Sequence, residues 1–81
     1  MTDYNKNALD EAVLALLYLN AFEDKYALRA WKSFDWEVMN RLHKKGFISD
    51  PKSRAKSVVM TEEGYQLAEE LFNKLFGLSE E

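Results

Sequence analysis

Residues 35–72, DWEVMNRLHKKGFISDPKSRAKSVVMTEEGYQLAEELF, spell out a helix, a hairpin and a second helix in succession. Ser33 or Asp35 caps the first of these, DWEVMNRLHKKG. Val38, Met39 and Leu42 share its core face with Trp36 at the edge, while Glu37, Asn40, Arg41, Lys44 and Lys45 face outward. Cations in the last turn suit the negative helix end, and Gly46 supplies the left-handed residue that stops it. The hairpin follows as FIS, then DPKSRAK, then SVVMT. Asp50-Pro51 starts a turn because proline's φ is already set for the second turn position, and Val58-Val59 have the β-branching of a strand. Thr61 ends that strand and caps the next helix, whose first turn places Glu62 and Glu63 at the partial positive end. Along EEGYQLAEELFNKLF, Tyr65, Ala68, Leu71, Phe72, Leu75 and Phe76 form one stripe; Gly77 stops the helix and Leu78 closes the hydrophobic contact after the stop.

Working outward, NALDEAVLALLYLN reads as a helix, with Asn7 as its candidate N-cap and Asp10 and Glu11 near the exposed first amides. Leu9, Val13, Leu16 and Leu17 form one face, but Ala12, Leu14, Ala15, Tyr18 and Leu19 leave the other side apolar as well. A helix apolar nearly all round needs cover on two sides. A second copy of the chain is the expected second cover. Between the helices, AFEDKYALRAWKSF (21–34) keeps no period of two or of 3.6 and is expected to be a loop followed by a short strand near Arg29 to Phe34. The order is then helix, short strand, helix, two-stranded wing, helix. That describes a mainly helical α+β domain, small and winged-helix-like, in a single unit over residues 1–81.

The chain has 81 residues, of which 47% are hydrophobic and 31% charged, a globular balance that excludes a disordered chain. A domain this small buries only roughly 60–65% of the surface its unfolded chain exposes, and no cysteine staples it. Association follows as an expectation: a homodimer through the Leu9–Leu19 and Tyr65–Phe76 helices. The polar start, MTDYNKN, has no basic segment ahead of an apolar run, and the apolar run Ala12 to Leu19 is far shorter than the roughly 20 residues a bilayer span needs. Neither a signal peptide nor a membrane anchor is expected, and with cysteine absent the expected location is cytoplasmic.

Net charge is −3, which taken alone argues against nucleic acid. The charge is segregated, however: residues 1–28 carry −3, residues 29–60 carry +5 and residues 61–81 carry −5. The basic middle is the helix and hairpin of the opening stretch. Asn40, Arg41, Lys44 and Lys45 on the helix, with Lys52, Arg54 and Lys56 on the hairpin, are the candidate nucleic-acid contacts, because a helix fits the major groove while loop cations neutralise phosphates. The competing reading is a solvated surface in which lysines serve the helix dipole and a charged loop protects a sheet edge.

The run LHKKGFISDPKSRAKSVVMTEEGYQLAEELF, Leu42 to Phe72, resembles the second half of winged-helix transcription regulators of the MarR type. That resemblance implies a recognition helix at Asp35 to Lys45, a wing at Ser49 to Ser57, dimerisation through terminal helices and duplex DNA as partner. At a closer level, AWKSFDWEVMNRLHKKGFISDPKSRAKSV with the preceding DEAVLALLYL resembles a family of short bacterial proteins catalogued as a domain of unknown function, over nearly the whole chain. The winged-helix pattern is trimmed here. Only about fourteen residues separate the first helix from the recognition helix, too few for the usual extra helix and a strand.

Catalytic chemistry is not expected. Gly46, Gly64 and Gly77 are isolated and form no phosphate-cradling loop, and the serines lack a nucleophile elbow. A lone His43 and zero cysteines exclude multi-histidine and thiolate metal sites, so no cofactor or metal is implied. The paired carboxylates Asp10-Glu11 and Glu62-Glu63 suit helix first turns, and Glu69-Glu70 a solvated face. Aromatics crowd one stretch: Tyr18, Phe22, Tyr26, Trp31, Phe34 and Trp36. Most are read as core, because aromatics bury large areas. Trp31, Phe34 and Trp36 are the candidate anchors for a protein partner, the alternative being an interaction module that keeps the winged-helix frame without binding DNA.

Overall fold

The computed structural model of the protein describes residues 3–25 and 27–77. Elements follow as α1 (Lys6–Leu19), β1 (Ala21–Glu23), β2 (Leu28–Trp31), α2 (Trp36–Lys44), β3 (Ser57–Val59) and α3 (Glu62–Phe76). The strands form one antiparallel sheet in the order β1-β2-β3, so the fold is the expected helix-strand-helix-wing arrangement of the α+β class. Tyr26 and Leu78, named above as aromatic core and as helix-stop contact, lie outside the described residues.

The largest departure from expectation is β1. Residues 21–23 and 28–31 pair as a hairpin, Ala21, Phe22 and Glu23 against Ala30, Arg29 and Leu28, with a further bond from the Asp24 amide to the Ala27 carbonyl at 2.8 Å. A three-residue strand is too short to display a period of two, and its cross-strand partners rather than its own sequence hold it. The row Ala21, Ala30, Val58 faces the core, and the small alanines let α1 approach the sheet. Phe22, Arg29, Trp31 and Val59 occupy the outer face.

The wing is also shorter than FIS suggested. Its first side contributes a single bridge, Ile48 to Met60, where the Ser49 amide donates to the Val59 carbonyl at 2.9 Å while the Val59 amide turns to the Ser49 hydroxyl, also at 2.9 Å. Asp50 turns the chain at once: its side chain accepts from the Lys52 amide at 2.9 Å and its carbonyl from the Ser53 amide at 3.3 Å. At the start of α1 the cap is Asn5, whose side chain accepts from the Ala8 amide at 3.0 Å, and Asn7 lies inside the first turn. Asp35 caps α2 and Thr61 caps α3, in line with the sequence reading. Gly77 ends α3 with extended backbone at φ −69°, without a left-handed stop.

Helix α1 is covered on one side by α3 and on the other by α2 and the sheet, burying Val13, Leu14, Ala15 and Leu17. Much of the cover expected from a second copy is therefore supplied by α3 of the same chain. Tyr18 packs against Tyr65 and Phe72, each at 5.4 Å between ring centres, and donates to Glu69 at 3.2 Å. Burial and the neighbouring Glu69 carboxylate raise the Tyr18 pKa, so the hydroxyl remains a donor. Leu19, Leu75 and Phe76 remain exposed.

One junction ties the end of α2 to the start of α3. Gly46 takes φ +84°, and the Thr61 hydroxyl, which accepts from the Gly64 amide at 2.9 Å, lies 2.8 Å from the Gly46 carbonyl and 3.2 Å from that of Phe47. Gly64 lies so close to Phe47 that a Cβ there would overlap its carbonyl oxygen and come within 2.8 Å of its Cα. The glycines of KKG and TEEG are the two halves of this contact. Among the described residues, no helix is long and apolar enough to cross a membrane.

Candidate nucleic-acid interface

The basic middle divides into two groups with different fates. Arg41 and Lys45 point back onto α1, where Asp10 is 1% exposed. Arg41 grips this carboxylate with a fork: Nη2 at 2.7 Å from Oδ1, and Nε at 3.0 and 2.9 Å from the two oxygens. Lys45 Nζ adds a contact at 3.0 Å to Oδ2. Burial by itself raises the Asp10 pKa, but the hydrogen bonds and positive charges of Arg41 and Lys45 outweigh it and hold the carboxyl below its ordinary value. The two cations are committed to neutralising a buried charge, which fastens the end of α2 to α1.

The second group is free of such duties. Lys44, Lys52, Arg54 and Lys56 are exposed, and among the described residues none pairs with a carboxylate. Lys32 and Arg29 join them, bonded to neutral oxygens: Lys32 Nζ to the Ser53 carbonyl at 2.7 Å, and Arg29 Nε to the Ser57 hydroxyl at 2.7 Å. Lys32 escapes a sequence reading because it sits outside both the helix and the hairpin; its amide reaches the Lys56 carbonyl at 3.0 Å, which places it against the wing. Asn40 is half-buried on the same side of α2 as Lys44, one turn earlier. The structure thus gathers the loop cations and separates Arg41 and Lys45 from them.

The three candidate partner anchors also diverge. Trp31 is 50% and Trp36 52% exposed, whereas Phe34 is half-buried and packs against the core. Trp31 stacks on Phe22, with ring centres 4.8 Å apart and planes 28° apart. His43 is half-buried with Nδ1 3.1 Å from the Ile48 carbonyl, a contact that suits an Nδ1–H donor spanning the α2 terminus and the wing. A groove of about 280 Å³ opens beside the ion pair, floored by Leu14, Leu42, Phe47 and Leu67.

Comparison with known proteins places this chain in a family. The family described as "Domain of unknown function (DUF6429)" matches residues 5–78, and the chain belongs to it. The "Uncharacterized protein y4hR" of Sinorhizobium fredii (strain NBRC 101917 / NGR234) is 45% identical over 74 residues, covering 91% of this chain and 96% of that protein. No solved structure matches.

Proposed function

We propose that this member of the DUF6429 family is a nucleic-acid-binding module of winged-helix form, a DNA-contacting, regulator-like domain that works as a dimer. One observation carries the reading: Lys44, Lys52, Arg54 and Lys56 stand exposed without carboxylate partners among the described residues, in a chain whose net charge is −3. A fold with spare acidic groups has the means to neutralise its cations internally, as Asp10 does for Arg41 and Lys45. Phosphates supply the countercharge the loop lacks, and counterion release favours the contact. Because Arg41 and Lys45 are engaged, α2 offers Asn40 and Lys44, so backbone contacts outweigh base reading. Pairing of two copies doubles the loop cations, and the exposed Leu19, Leu75 and Phe76 on the packed pair α1 and α3 support that association.

The test is salt-titrated binding of duplex DNA. Log affinity is expected to fall linearly with log salt, and Arg54→Glu and Lys56→Glu to reduce the slope by about one for each phosphate left without its cation. Absence of binding at low salt by the folded chain overturns the reading. A second reading, a protein-interaction module on the same frame, is favoured by the 52% exposure of Trp36 at the start of α2. Pull-downs that recover no partner dependent on Trp36 count against it.

A further inference from the structure

We propose that the outer face of the sheet is a stacking platform for unpaired bases, so that the basic loop takes single-stranded nucleic acid in addition to duplex. This deepens the nucleic-acid reading above and rests on it. Helix α1 packs on the core-facing row of the sheet, while Phe22, Arg29, Trp31 and Val59 project from the other face and none of them is fully buried. Phe22 lies against one face of the Trp31 ring at 4.8 Å, and the tryptophan is 50% exposed, so an indole braced by a second ring is open to solvent. On the same sheet face Arg29 is fixed by two bonds to Ser57, Nε to the hydroxyl at 2.7 Å and Nη2 to the carbonyl at 3.1 Å. Its planar guanidinium is a further group on this face able to stack on a base.

The phosphate contacts are next door. Trp31 pairs with Ser57, and the ladder continues through the bond from the Lys32 amide to the Lys56 carbonyl at 3.0 Å. Lys32 and Lys56 thus follow Trp31 and Ser57 at the end of the ladder; strand alternation directs their side chains to the opposite side of the sheet from the indole, so these cations flank the platform at the sheet's end. A duplex hides its base faces in the stack and shows only edges in its grooves, which an indole face cannot read. An unpaired strand presents both the ring face and the phosphate within one nucleotide, matching the aromatic plane and the cations in type and proximity.

Trp36→Phe leaves Trp31 as the one tryptophan, making its emission a direct reporter. That variant is titrated with oligomers of roughly twelve nucleotides, unpaired deoxythymidine, unpaired uridine and a duplex of equal length, at several salt concentrations. Quenching of Trp31 by either unpaired oligomer, with the duplex giving little change at saturation, is the expected result, and the two unpaired arms distinguish DNA from RNA. Trp31→Ala is expected to weaken unpaired-strand binding about tenfold, with Trp31→Phe retaining most of the affinity and duplex binding unchanged. Circular dichroism checks that the variants fold; the fluorescence arm stands if Trp31→Ala does not. Binding of the unpaired strands with unaltered Trp31 emission overturns the platform and leaves the loop reading intact. No binding of any oligomer at low salt overturns both.

Discussion

Asp10 is a carboxylate buried between two cations, and its environment makes pH the variable that exposes its role. Its folded pKa lies below the ordinary 3.8, so the unfolded chain binds the proton more readily. The stability it contributes is complete above the ordinary carboxylate range and is lost as pH falls through the lowered folded value. Asp10→Asn is expected to cost about 2 kcal/mol at neutral pH, since the charge-assisted bonds to Arg41 and Lys45 are lost while both cations keep access to water. Urea denaturation should show that gap closing in acid; a gap independent of pH would refute the ion-pair account. None of this is legible locally. Asp10 reads as a helix first-turn acid, and its partners lie 31 and 35 positions away, on a helix whose orientation only the fold supplies. Lys44 and Arg41 look alike in sequence for the same reason, yet one faces solvent and the other a buried carboxylate.

At the level of elements, the helices are readable because their caps and apolar faces repeat over several turns: Thr61, Asp35 and Gly46 occupy the positions their chemistry suggests. The strands are legible in part: the β-branched Val58-Val59 marks β3 and a short strand near Arg29 is expected where β2 lies, whereas β1 has three residues with no period of their own and the wing's first side shrinks to one bridge. The TEEG turn illustrates a motif legible as a resemblance but not as a cause. Its glycine is required by contact with the Phe47 backbone rather than by φ, whereas Gly46 is required by φ with open space around it. Gly64→Ala is accordingly expected to destabilise by about 3 kcal/mol, at the upper end of overpacking costs, and Gly46→Ala by about 1 kcal/mol. Thermal melts of the two variants rank them; equal losses would place the strain elsewhere.

The whole molecule is thin, with principal extents of 43, 37 and 18 Å. Such a slab has little interior for its area, which gives the exposed Leu19, at 62%, and Phe76, at 50%, their significance. Light scattering at high micromolar concentration should report a dimer, and Leu19→Glu with Phe76→Glu should yield a folded monomer. A wild-type monomer under those conditions would remove the dimer from the proposal. The acidic total hides the basic middle at the sequence level, and segment-wise counting recovers it; which cations remain unpaired requires the fold.

The Thr61 hydroxyl, 2.8 Å from the Gly46 carbonyl, also closes the wing at its base. The excursion from Phe47 to Met60 begins and ends at one fastened point, so its length is uncoupled from the packing of α2 and α3 on α1. Each doubling of a flexible loop costs only about 0.6 kcal/mol in closure entropy. The exposed tip, residues 52–55, is therefore a position where residues can be inserted or exchanged while the frame beneath stays as it is, which makes it a ready graft site for an engineer.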